Sequence, residues 1–263
     1  MQSTQDAAQA REDAQAGNYG KAAAHLGMGT INAGLDWLPA GKVFGAILGG
    51  MGARNFPWGK LPIAEQMEKA GRSIDEIWRE TGLWRAPDSH WRFEISDKGY
   101  RVKPKAGILD DEGYMAAPLY EQHSHPGLQA AYPWLADVLS KIWIDPTRLK
   151  GVGRFWHDRG LIELESPRGA ELRIVGIHEL QHLIDWFEGF ARGGSPLEFM
   201  NLGIPYQQAK ALYERLAGEV SARTAAWRLH LTEKERARRV PERTQETKLG
   251  MTRDQQIVRF RDE

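Results

Sequence analysis

The residues best equipped for chemistry stand at His178-Glu179-Leu180-Gln181-His182, an H-E-x-x-H pattern inside an apolar run. A four-residue spacing stacks two imidazoles on one helix face with a carboxylate between them. Neutral histidines ligate metals, and a glutamate held beside the metal can take a proton from a bound water. A hydrolytic zinc site needs that combination. His178 and His182 are therefore candidate Zn2+ ligands, and Glu179 is the candidate general base. The competing reading is a pair of satisfied core histidines, and a third ligand would separate the two.

One route to a third ligand is a histidine six residues on, reached through a glycine turn. Position 188 is Glu188, and Asp185 stands where that glycine would fall, so the route is closed. The other route is a glutamate from a neighbouring helix. The stretch from Tyr206 to His230 reads as one long helix and offers Glu214 and Glu219. Glu219 is flanked by Ala217, Gly218 and Ala222, whose small side chains allow close approach, and it lies next to the face carrying Leu212, Leu216 and Val220. A carboxylate there is costly to bury unless it is paired or bound to a metal. Glu219 is the expected third ligand, and pairing with Arg192 or Arg223 is its structural alternative. Glu214 reads as a solvated partner of Lys210 or Arg215.

The elements around the motif follow from periodicity and turn chemistry. Apolar Ile177, Leu180, Leu183, Ile184 and Phe187 recur at helical spacing, Gly189 supplies a stop, and Glu171 to Gly176 reads as an extended approach. Upstream, Ile63 to Gly71 reads as a short helix. Ser73 and Glu76 form a capping box for a second. Trp91 to Ile95 with Tyr100 to Val102 reads as a hairpin, as does Arg154 to His157 with Leu161 to Glu165. The second hairpin's strand Leu161 to Glu165 offers an edge to which an extended peptide could add. Donors that could stabilise a developing oxyanion are Tyr213, His230 and Arg192. Thr232 to Glu235 opens a short charged helix, and the tail from Pro241 reads as charged and extended.

Several stretches together resemble the zincin-like large polyvalent protein-associated domains of bacteriophages and other mobile elements. They are Trp78 to Gly82, Trp91 to Ile95, His125-Pro126 with Ala131 to Asp137, His178 to His182, Glu188 to Pro196 and Ala217 to Arg223. The resemblance runs from about Ile63 to Arg259. It implies an α+β zincin-like metallopeptidase fold in which small antiparallel hairpins pack on the H-E-x-x-H helix and a second ligand-bearing helix. It further implies zinc on His178, His182 and Glu219, with Glu179 as base. One position departs from the pattern: Ser221 stands where a second acidic residue is expected, which questions a partner behind the ligands. Residues 1–60, polar and alanine-rich and then rich in glycine, read as a helical arm preceding a domain over 61–263.

Composition narrows the function classes. The 263 residues are 41% hydrophobic with ten tryptophans, enough for a sizeable core. Lysine plus arginine equals aspartate plus glutamate at 35 each, so no global field recruits nucleic acid or an anionic membrane. Arg236, Arg238, Arg239 and Arg243 are interleaved with acids and read as a solvated face. With no cysteine, a metal must be held by histidine and carboxylate. The stretch from Ile31 to Ala53 is interrupted by Asp36, Pro39 and Lys42 and predicts no stable membrane span. No secretory signal is visible, so the expected location is a phage virion or the bacterial host cytoplasm. The expected partner is a protein or peptide substrate, with other virion proteins contacting residues 1–60. Two functions remain in view: a zinc-dependent peptidase, and a non-catalytic virion structural or ejected protein retaining the fold. His25, His90, His123, His125 and His157 show no ligand spacing.

Overall fold

The computed structural model describes residues 47–104, 109, 113–144, 152–157, 159–166 and 169–261. Helices and short strands alternate in a mixed α+β arrangement, as expected. In chain order the strands are β1 (Ile47–Gly49), β2 (Trp84–Arg85), β3 (Trp91–Ile95), β4 (Arg101–Val102), β5 (Met115–Pro118), β6 (His123–Ser124), β7 (Leu139–Ile144), β8 (Val152–Trp156) and β9 (Leu161–Ser166). They form sheets in the orders β1-β3-β2, β4-β6 and β5-β7-β9-β8. Of the helical arm expected over residues 1–60, residues 1–46 lie outside the described residues. Among those described, no helix is long and apolar enough to cross a membrane.

Both sheets of three or more strands serve one helix, Ala170–Glu188, which carries the H-E-x-x-H motif. Its core side combines Leu172, Val175, Leu180, Leu183, Ile184 and Phe187 with Ile47, Phe93, Ile95, Ile162 and Leu164 from the strands. The helix starts at Ala170, so the extended approach expected over 171–176 is helical instead. Gly176 is no breaker there: a Cβ on it would fall 2.3 Å from the Tyr100 hydroxyl, and glycine lets that ring lie against the helix. Gly189 ends the helix in the left-handed region at φ 70°, its N–H donating to the Asp185 carbonyl.

Strand β3 pairs with β1 and β2, and β4 pairs with β6, so the first expected hairpin does not form. The alternation in Trp91-Arg92-Phe93-Glu94-Ile95 suggested one wet face, yet all five residues are buried. Arg92 and Glu94 point at the helices and are neutralised there by ion pairs. The second hairpin forms as β8 and β9, antiparallel, with β9 also parallel to β7. That inner position means β9 has no free edge, and the edge facing the motif helix is β8. Residues 47–49, expected within the N-terminal arm, are part of the core: Ile47 and Leu48 are fully buried, and Leu48 N–H donates to Gln181 Oε1 at 2.7 Å.

The expected long helix is two, Tyr206–Tyr213 and Ala217–Arg228. The interruption has a cause distant in sequence. Ile257 enters between them, donating its N–H to the Arg215 carbonyl at 2.7 Å and accepting the Ala217 N–H at 2.9 Å. The region from Pro241 is not an extended tail but a succession of short helical turns with Glu242, Thr244 and Gln245 buried. Its charges are matched by the fold: Arg243 pairs with Asp75 and Arg253 with Glu242. The expected capping box at Ser73/Glu76 is present, and a second, at Thr232/Glu235, opens the short charged helix.

Candidate functional site

The break at Glu214–Leu216 puts Glu219 in the first turn of its helix, where an N-terminal partial positive charge favours a carboxylate. The second helix packs closely on the motif helix, as its small residues predicted, but Gly218 itself does not face that contact. Instead it makes room for the loop after the motif helix: a Cβ there would meet Gly193 N at 2.2 Å. The loop in turn presses Gly193 against both the Glu219 carboxylate and the His182 ring.

These constraints bring His178, His182 and Glu219 together, with one candidate donor atom from each lying within 4.8 Å of the others. The Nε2 atoms of the histidines are 3.1 Å apart. Glu219 Oε1 stands 3.3 Å from His182 Nε2, and Oε2 stands 3.6 Å from His178 Nε2. Two neutral imidazoles so close must share a proton unless a cation takes both lone pairs. Oε1 also accepts the Gly194 N–H at 3.2 Å, whereas Oε2 is buried with no hydrogen bond. Two imidazole nitrogens and a carboxylate with one unsatisfied oxygen form a donor set that could hold a divalent metal ion. Of the two arginines considered as its alternative partner, Arg223 donates its Nε to the backbone carbonyl of Glu219 at 3.2 Å and Arg192 pairs with Glu198.

Burial works against the imidazolium of His182, but the Glu219 carboxylate outweighs it and pushes the ring up to about 9. Glu219 feels the reciprocal effect. Burial alone would raise it, and the two histidines hold it well below the usual carboxylate range. Burial raises Glu179 above that range against the pull of His178 and His182. Asp185, one turn along from His182, is raised by burial to about 6 although Arg92 stands beside it.

Glu179 lines the same cleft as the three residues, a space of 920 Å³. Strand β8 forms one wall and passes so near that a Cβ on Gly153 would lie 2.5 Å from Glu179 Cγ and Oε1. Of the three donors considered for an oxyanion, Tyr213 and Arg192 line this cleft and His230 does not. Arg192 donates to both oxygens of Glu198, at 3.1 and 2.9 Å. Burial, with the negative charge of Glu219 nearby, holds the Tyr213 hydroxyl well above the usual phenol range. Glu214 pairs with Lys210 at 3.6 Å on the surface, away from the cluster. His123 and His125 are buried core residues, and His90 lies beside Asp88.

Sequence reasoning missed the support behind the cluster. Arg92 on β3 pairs with Asp88, donates to Ser221 Oγ at 2.9 Å and stands 3.6 Å from Asp185 Oδ1. Gln181 Nε2 donates to Asp185 Oδ1 at 2.8 Å. Ser221, conspicuous as a departure from an acidic residue, thus accepts from Arg92 and donates to Asp185 at 3.3 Å. The signal for Arg92 was its place in an alternating strand, which reads equally well as a solvent-facing position.

Among known proteins, the sequence profile of one family, described as large polyvalent protein associated domain 23, matches residues 46–103. Over that segment the chain is similar to a polyvalent protein-associated domain. The match overlaps the start of the resemblance read from the sequence and extends it upstream through β1, while the H-E-x-x-H helix lies beyond it. No curated protein and no solved structure matches the chain.

Proposed function

We propose that the protein is a zinc-dependent, metallopeptidase-like hydrolase of phage or mobile-element origin, built on a zincin-like fold. The observation that carries this reading is the convergence of His178, His182 and Glu219 at the wall of an open cleft, with Glu179 beside them. A purely structural metal site is closed and has no use for an extra carboxylate between its histidines. Zinc held by those three residues would supply Lewis acidity toward a carbonyl and acidify a water. Glu179 accepts the proton of the attacking water and delivers it to the leaving amine. Tyr213, at the same wall, is the candidate donor to a developing oxyanion. A peptide in extended form adds to the β8 edge, running along the wall that holds Glu179. The similarity of residues 46–103 to a polyvalent protein-associated domain supports the mobile-element origin.

The test is elemental analysis of the purified protein beside its Glu219→Ala variant, followed by a casein hydrolysis assay with Glu179→Gln. The expected result is about one zinc per chain, lost in Glu219→Ala. Glu179→Gln should keep the metal and lose about a hundred- to ten-thousandfold in rate. No zinc after refolding with the metal would overturn the reading. Zinc without any hydrolysis would favour a non-catalytic virion protein that retains the fold.

A further inference from the structure

Beside the metal-type cluster, the same cleft has a second, chemically different wall. Strand β8 presents alternate residues to the motif helix, so Phe155 follows Gly153 on the side facing it. On the helix, Trp186 follows His182 by four residues, one turn further along the same face. The two aromatics meet edge to face with ring centroids 6.0 Å apart. Arg261, from the end of the described chain, lays its guanidinium over Trp186 at 3.8 Å from the ring centroid. Phe155, Trp186 and Arg261 all line the cleft with His178, His182 and Glu219, and neither aromatic ring is fully buried.

The segment that brings Arg261 here is fastened at several points. Ile257 is hydrogen-bonded on both sides to Arg215 and Ala217, and the Arg259 carbonyl accepts the Arg192 N–H at 2.8 Å. The wall is thus assembled from three parts of the chain far apart in sequence, and each part is independently anchored. One helical turn is about 5.4 Å and two strand residues span about 6.6 Å, so the aromatic wall lies one side-chain step from the cluster along both elements.

We propose that Phe155, Trp186 and Arg261 form a subsite that takes a large apolar, foremost aromatic, side chain of an extended peptide, so that peptides are cut beside such a residue. An aromatic side chain entering it gains edge or offset contacts with two rings and a face-on contact with the guanidinium stacked on Trp186. A small or acidic side chain gains none of the ring contacts. The inference rests on the peptidase reading for cleavage, but occupancy of the wall does not need the reaction.

Two experiments separate the two ideas. In the first, the zinc-loaded protein is given a tryptic peptide mixture and the cut bonds are mapped by mass spectrometry. Phe, Tyr, Leu and Met should be enriched at one position next to the cut bond. Trp186→Ala should flatten that enrichment about tenfold. Cleavage with no such preference, or a preference unchanged in Trp186→Ala and Phe155→Ala, overturns the subsite and leaves the peptidase standing. In the second, the Trp186 indole N–H resonance is followed by NMR during titration with N-acetyl-phenylalaninamide and N-acetyl-alaninamide, without added metal. A shift with the first compound at millimolar concentration and none with the second supports the subsite even if no peptide is cut. Equal shifts, or none with either, overturn it. Arg261→Ala, at an exposed position, should weaken the phenylalaninamide titration several-fold without affecting folding.

Discussion

Arg92 Nη1 donates to Ser221 Oγ at 2.9 Å, and through this bond a strand of the first sheet holds the helix that carries Glu219. The same guanidinium stands 3.6 Å from Asp185 on the motif helix and pairs with Asp88, which also accepts the Ala191 N–H at 2.9 Å. One side chain therefore ties both helices of the cluster, and the loop between them, to the segment similar to the polyvalent protein-associated domain. Removing it leaves Asp88 and Asp185 buried without their counter-charge, a situation that typically costs about 3–5 kcal/mol. Arg92→Leu should lower the urea midpoint accordingly at pH 7. A loss within about 0.5 kcal/mol, the size of an ordinary surface substitution, would mean that the network is not what sets the helix spacing.

The sequence made the motif helix legible because i, i+4 spacing is a property of the helix itself. Glu219 was legible as an acid amid small and inward-facing residues, a cost that demands a partner. The break before it was not, because its cause, Ile257, lies forty residues downstream and acts through backbone hydrogen bonds that carry no side-chain signature. Strand β3 misled for a different reason. Alternation announces one buried face only when the polar residues reach water, and here Arg92 and Glu94 are satisfied inside. The Trp186 wall was hidden because it needs the β8 edge and Arg261 brought together, neither of which is local to the motif.

The second inward-facing residue of β3 gives an independent test. Glu94 and Arg228 form a fully buried ion pair, and Arg228 also donates to Thr244 Oγ1 at 2.8 Å and to the Arg239 carbonyl at 3.0 Å. Either Glu94→Met or Arg228→Met alone strands a charge, whereas the double substitution strands none. A double-mutant cycle by chemical denaturation should return a coupling of about 1–3 kcal/mol, with the double variant losing clearly less than the sum. Additive losses would show that the pair contributes no mutual stabilisation.

Two glycines offer a paired test of the roles assigned around the cluster. A Cβ at Gly153 would lie 2.5 Å from Glu179 Cγ, while one at Gly193 would lie 2.4 Å from Glu219 Oε1 and 2.6 Å from His182 Cε1. Gly153→Ala should displace the base and spare the ligands. Zinc content should stay near the parent's, with hydrolysis falling about a hundredfold, the lower end of what a general base contributes. Gly193→Ala should weaken metal binding itself, measured as zinc lost to a competing chelator. Equal zinc retention in both variants would contradict the separate assignment of base and ligands.

Away from the cluster, His123 and His125 predict how stability responds to acid. Burial is the main cause of depression in both, taking His123 down to about 3 with help from His125, and His125 down to about 4 against the pull of Asp97. His123 Nε2 lies 3.0 Å from Ser140 Oγ and His125 Nδ1 accepts the Leu128 N–H at 3.1 Å, so both rings are built into the core as neutral groups. A histidine with a folded value below its unfolded one contributes stability that is present above about pH 6.5 and is lost as pH falls toward the folded value. Each should cost up to about 1.4 kcal/mol per pH unit below that point. Buried carboxylates raised above their usual range, such as Glu94 and Glu188, act in the opposite sense. The difference between the parent and His123→Gln isolates one histidine. Measured by urea denaturation between pH 7 and 5, the parent should lose stability relative to this variant by about 1–2 kcal/mol. A gap that stays constant across that range would mean His123 is not held neutral in the fold.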